Sequence, residues 1–286
     1  MARPFIGERP PAPRSTPRTD RFSPRALTPL LRIPLAFAVG GNWKCNCTQA
    51  KVAELVDMLN CSGAVPPNTT VVVAPTSIHL QYVQTHLRSD MVVSSQNVNH
   101  VLKLGAYTGE ISPIMLADLG VGTALIGHSE RRHVYGESLD TIKAKVAVSM
   151  EQGLKVILCV GETLEQREAG DTMTVIGEQL ATALEGAAGV SAANVIIAYE
   201  PVWAIGTGKT ATPELAQEVH VQIRAKLASI LDDEQAAAMP ILYGGSVKGA
   251  NAKSIGAQPD IDGFLIGGSS LKPDFLACIA ASPYAS

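Results

Sequence analysis

Cysteine is scarce in this sequence and badly spaced for a metal. Cys45, Cys47, Cys61, Cys159 and Cys278 make an odd count with no CxxC pair, so no zinc pattern can be drawn from them. A reducing compartment is their expected home. Histidine adds no ligand set either: His128 and His133 are out of register for one helical face. No metal and no cofactor is expected. Long apolar runs are missing as well. The nearest candidate, residues 30–39, is interrupted by Arg32 and Pro34 and falls short of a membrane span. Ala36, Phe37 and Ala38 resemble a signal-peptidase site, but the apolar part is too short and too far from Met1, so it reads as the entry to a strand. Basic excess is absent: a formal net charge of −3 gives nucleic acid no electrostatic footprint.

What is present divides the chain near residue 34. Residues 1–34 hold seven Arg and eight Pro against only Glu8 and Asp20 as acids, with no apolar periodicity. Such a segment cannot bury enough surface to offset its chain entropy, and disorder is expected. Two origins fit it. An Arg-rich, acid-poor head suits a transit peptide for a plastid or another organelle. Alternatively it is a misread insert in a cytoplasmic protein, because residues 1–7 duplicate a strand start that residues 35–41 supply again. The repeat favours the second account.

From residue 35 to residue 286 a regular alternation runs. Short apolar stretches at 37–39, 70–74, 91–94, 123–126, 155–160, 194–199, 241–243 and 264–266 read as buried strands. Helical stretches follow them. Val52, Leu55, Val56 and Leu59 mark one apolar face, and Leu215, Val219, Ile223 and Leu227 mark another, opened by Thr212 and Pro213. Continuous Val/Ile/Leu runs are the signature of parallel strands covered on both faces. Eight strand–helix units in this length predict a single (β/α)₈ barrel. An open doubly wound sheet would want a Gly-x-Gly-x-x-Gly turn after the first strand, and there is none.

Polar residues just beyond the strands of such a barrel converge on one end. They are Asn42 and Lys44, Gln96 and Asn97, His128 with Ser129 and Glu130, Glu200, then Ser246 behind two glycines, and Gly267 with Gly268. Each alone has an ordinary structural explanation: an ion-pair partner, a hydrogen-bonded histidine, a solvated lysine. Together they offer a carboxylate, an imidazole, an ammonium and Gly-rich turns whose N–H groups can close on a phosphate. Past Glu200, Pro201 stiffens the backbone and Gly206 and Gly208 loosen it. Between them Val202, Trp203, Ala204 and Ile205 form an apolar tip suited to a lid.

Several motifs carry a family resemblance. They are Gly41-Asn42-Trp43-Lys44, Gly127-His128-Ser129-Glu130-Arg131-Arg132, Cys159-Val160-Gly161-Glu162, Tyr199-Glu200-Pro201-Val202-Trp203, Tyr243-Gly244-Gly245-Ser246 and Ile266-Gly267-Gly268. In this order, from about residue 36 to the end, the chain resembles the triosephosphate isomerases. The resemblance implies interconversion of dihydroxyacetone phosphate and glyceraldehyde 3-phosphate through an enediolate, without a cofactor. It implies Glu200 as base, His128 as electrophile, and Lys44 and Asn42 as partners of the enediolate. Ser129, Glu130 and Cys159 support them, and the N–H groups of Gly206, Ser246, Gly267 and Gly268 hold the phosphate. It also implies a homodimer, with a loop bearing Thr108 inserted near the partner's Lys44. The interior of that loop and Cys45 depart from the usual pattern. Two rivals on the same barrel are a Schiff-base aldolase using Lys44 and a non-catalytic phosphate-binding barrel.

Overall fold

A computed structural model describes residues 37–205 and 211–285. The expected disordered head, its boundary at 34/35, and Gly206 and Gly208 lie outside the described residues.

Eight strands alternate with helices. They are β1 (Phe37–Asn42), β2 (Thr69–Ala74), β3 (Met91–Val93), β4 (Thr123–Ile126), β5 (Lys155–Val160), β6 (Val195–Tyr199), β7 (Ile241–Tyr243) and β8 (Gly263–Ile266). All pair in parallel in the order β3-β2-β1-β8-β7-β6-β5-β4. A single parallel bridge, Ser95 to Ala124, joins the two ends of that order and closes the barrel. The expected (β/α)₈ architecture is therefore present, and the strand contiguous with Asn42 and Lys44 occupies the β1 slot.

The helices are α1 (Gln49–Asn60), α2 (Leu80–His86), α3 (Pro113–Asp118), α4 (Ser129–His133), α5 (Leu139–Glu151), α6 (Leu164–Glu168), α7 (Thr172–Leu184), α8 (Pro213–Ile230), α9 (Asp233–Ala238), α10 (Gly249–Gly256) and α11 (Asp274–Ala280). Their starts follow from local chemistry. Thr48, Ser112, Ser138 and Thr212 each accept a backbone N–H of the first turn, and Pro occupies the first turn of α3 and α8. Such caps contribute about 1 kcal/mol each. After β4 and β5 the sequence reads as one helical stretch, but the chain forms two helices in each place. The breaks fall at Gly136 and Gly170, both with positive φ.

Side-chain alternation explains both the core and the site. Along a strand, neighbours point to opposite faces. Alternate positions of β5 and β6 differ accordingly: Val156, Leu158, Val195, Ile197 and Tyr199 pack outward against the helices. Ala38, Val72, Ala74, Leu125, Ile157, Cys159, Ile196, Ala198, Leu242 and Leu265 form a separate cluster inside the barrel. Continuing the inward parity to the end of β1 and just past the ends of β5, β6, β7 and β8 reaches Asn42, Gly161, Glu200, Gly244 and Gly267. The same period that fills the interior therefore aims the next residue of each strand at the mouth. Small residues dominate the top inner layer, which leaves room there for polar groups.

Candidate active site

Glu200 is 2% exposed at the inner end of β6. Its Oε1 lies 2.9 Å from His128 Nε2, and its Oε2 accepts the Ser129 N–H at 2.8 Å. His128 caps α4, with Nδ1 accepting the Glu130 N–H at 3.2 Å. Nδ1 is thus an acceptor, and the ring proton sits on Nε2, where it is donated to Glu200. Burial pulls the imidazole pKa down, the facing carboxylate pulls it up, and the result is above the ordinary histidine value. For Glu200 burial pushes upward, but His128, the Ser129 N–H and Lys44 outweigh it and hold the carboxyl below its ordinary value.

Lys44 enters from the loop after β1 in a left-handed conformation, φ 50°. That conformation is sparsely populated for a lysine. Its own N–H is held by Asn42 Oδ1 at 3.0 Å, and Gln96 Nε2 donates to its carbonyl at 2.9 Å. The ammonium is paired with Glu130 Oε1 at 2.7 Å. Asn42 is buried beside it. A lysine held in an ion pair at the rim, and not in an apolar pocket, does not favour the Schiff-base alternative.

Asn42, Lys44, His128, Glu200, Ser246, Gly267 and Gly268 line one cavity of about 500 Å³, well inside the range of small-ligand sites. A 3₁₀ turn, Gly268–Leu271, begins at its glycine-lined end. Gly267 leaves little room for a larger residue: a Cβ there would lie 3.2 Å from Lys44 Cε. Ser129 and Glu130 lie against Glu200 and Lys44 through the bonds already given. Burial pushes the Cys159 thiol well up, so it is a neutral, packed group beside Glu200. Gly206, the remaining expected phosphate partner, lies outside the described residues.

Four residues to which composition and spacing assign no role, Glu162, Arg167, Arg132 and Gln179, also brace the site. Glu162 is fully buried, and its Oε1 accepts from Trp203 Nε1 at 3.0 Å, Tyr199 OH at 3.1 Å and Arg167 at 3.1 Å. It ties the apolar tip to the barrel. Arg167 also lies 4.9 Å over the Trp203 ring. Arg132 donates to the carbonyls of Gly127 and Cys159 at 2.7 and 2.8 Å, bracing the chain just before His128. Gln179 holds Gly161 from outside the sheet. These contacts mostly join residues far apart in sequence, which periodicity does not report. The apolar tip itself is a 3₁₀ turn, Val202–Ala204, and the Ser246 hydroxyl donates to Ala204 O at 3.2 Å.

A (β/α)₈ barrel with a buried carboxylate against a singly protonated imidazole, an ammonium beside them and open glycine turns opposite defines a class. It is a barrel enzyme that moves protons next to a carbonyl in a small phosphorylated substrate. The sequence model of the triosephosphate isomerases matches residues 37–282. The chain belongs to the triosephosphate isomerase family, and its reaction is the interconversion of dihydroxyacetone phosphate and glyceraldehyde 3-phosphate through an enediolate.

Proposed function

We propose that Glu200 is the base of this reaction and His128 the electrophile, with Lys44, Asn42 and the turns at Ser246 and Gly267–Gly268 binding the substrate. One observation carries the assignment. Among the described residues Glu200 is the one carboxylate lining the 500 Å³ cavity, and it meets the imidazole at 2.9 Å. In the resting arrangement both groups satisfy each other. A substrate carbonyl replaces that contact, leaving the Nε2–H to donate to the oxygen where charge appears and the carboxylate to take the neighbouring carbon's proton.

The neutral, Nε2-protonated state of His128 is then favoured. The upward pull of Glu200 belongs to their pairing. With the carboxylate turned to carbon, burial and Lys44 favour the neutral ring, opposed only by the smaller pull of Glu130. Such a neutral histidine at a helix N-terminus is characteristic of this family. Lys44 offsets the enediolate charge, and the backbone N–H groups around Ser246, Gly267 and Gly268 take the phosphate. Lid closure keeps water from the intermediate.

A carboxylate that has taken a proton exposes it to exchange before returning it. Turnover in ²H₂O is therefore expected to leave about one deuterium on the carbon that receives the proton. Mass spectrometry of the product checks this, and label-free product would mean that the abstracted hydrogen never exchanges with solvent.

We infer further that the protein is a cytoplasmic homodimer acting in glycolysis and gluconeogenesis. Support for the dimer comes from a second cavity of about 340 Å³ that shares Asn42, Lys44 and His128. Ile78, Tyr107 and Tyr135, in the segments around it, are 84%, 41% and 66% exposed. Apolar side chains left in water beside a charged site suit a second copy. Thr108, exposed in the loop after β3, is the residue that would reach the partner's Lys44. Sedimentation at micromolar concentration is expected to give twice the mass of one chain, and a monomer with full activity would contradict it.

A further inference from the structure

Gln179 is a buried polar residue on the apolar face of α7, set among Ile176, Leu180, Ala183 and Leu184. Its side chain is used entirely on one residue. Oε1 accepts the Gly161 N–H at 2.9 Å and Nε2 donates to the Gly161 carbonyl at 3.0 Å. The amide thus does for Gly161 what a neighbouring strand does for a residue inside a sheet.

Gly161 is in turn the surface on which Glu200 rests. A Cβ built on it would lie 1.8 Å from the Glu200 carbonyl oxygen, so the two backbones are in the closest approach that glycine permits. On one side the Glu200 N–H donates to Val160 O at 2.7 Å; on the other the Val202 N–H donates to Glu162 O at 3.2 Å. The base and the first residue of the lid both hang from residues 160–162, and Gly161 is the middle of that segment. Buried backbone N–H and C=O groups must find partners, but a water or a turn could supply them. What Gln179 adds is a fixed point in the helix layer, held by the packing of α7.

We propose that Gln179 is a positioning residue, clamping Gly161 from outside the sheet so that Glu200 and the root of the lid are held in register with the substrate. The proposal rests on the reading of Glu200 as the base. A shift of the carboxylate by a fraction of an ångström alters proton transfer more than it alters binding, because the phosphate turns belong to β7 and β8.

Two substitutions test it. Q179M fills similar space without either hydrogen bond. Its kcat is expected to fall by roughly 10- to 100-fold, with KM and inhibition by inorganic phosphate unchanged within about twofold. Q179E keeps both bonds only as the neutral acid, since the carboxylate has no donor for the Gly161 carbonyl. Its kcat relative to the unaltered protein is expected to rise as pH is lowered and fall as pH is raised. A purely structural role would lower stability and leave that ratio flat. Wild-type kcat in Q179M, a parallel loss of kcat and phosphate affinity, or a pH-independent ratio in Q179E would each overturn the proposal. If Q179M does not fold, the Q179E ratio decides. Glu200→Gln, assayed alongside, separates the two readings: unimpaired turnover there removes the base assignment, whatever the Gln179 variants do.

Discussion

Glu200→Gln is expected to lose at least about 10²–10⁴-fold in kcat, the usual contribution of a general base, while retaining affinity for a phosphate analogue. The amide is nearly the same size as the carboxylate. Its one acceptor oxygen can serve only one of His128 and Ser129, the two donors that hold the carboxylate at 2.9 and 2.8 Å, so some positioning is lost as well. The larger loss is the capacity to take a proton. The phosphate turns at Ser246 and Gly267–Gly268 lie on other strands, so ground-state binding has no reason to change. Steady-state kinetics with an inhibitor titration reads both quantities. A loss shared equally between turnover and inhibitor binding would point to a collapsed site in place of a missing base.

The second large effect is expected from the lid. Removing residues 204–207 should leave the barrel folded, because its eight strands and the α-helices packed on them lie outside that stretch. The Ser246 hydroxyl, which donates to Ala204 O at 3.2 Å, would turn to water instead. Turnover should fall by roughly 10²-fold, as for any loss of positioning at the reacting atoms. Inorganic phosphate should accumulate as a side product, since an enediolate open to water can eliminate it. The anchoring of the tip supports this. Trp203 is fixed to the buried Glu162 by a 3.0 Å hydrogen bond and covered by Arg167, so the lid's root is built into the end of β5 and opens from a defined position. A phosphate-release assay run beside the isomerase assay distinguishes the outcomes; clean isomerisation by the shortened chain would remove the lid from the account.

Much of this was legible in the sequence, for a physical reason. Buried parallel strands leave continuous apolar runs, and the residue that follows each run at the inward parity must face the barrel mouth. Asn42, Glu200, Gly244 and Gly267 could be read that way. His128 could be read from its place before Ser129, Glu130 and Arg131, a helix start. What could not be read were the contacts between distant parts of the chain. Glu162 stands in a recognisable motif, but its three donors come from residues 167, 199 and 203. Arg132 looks like a helix-surface arginine, yet its guanidinium turns back to the carbonyls of Gly127 and Cys159. Gln179 left one available signal: a single amide at a position whose helical neighbours three and four away, Ile176 and Ala183, are both buried. The split of the β4 and β5 crossovers into two helices each was marked by Gly136 and Gly170, whose positive φ no continuous helix accommodates.

The central claim is that the carboxylate of Glu200 removes the carbon-bound proton. NMR of dihydroxyacetone phosphate held with Glu200→Gln protein in ²H₂O measures that step without requiring product. The account predicts that exchange of the carbon-bound proton slows by the same factor as isomerisation. Exchange at the rate of the unaltered protein would mean that another group takes the proton.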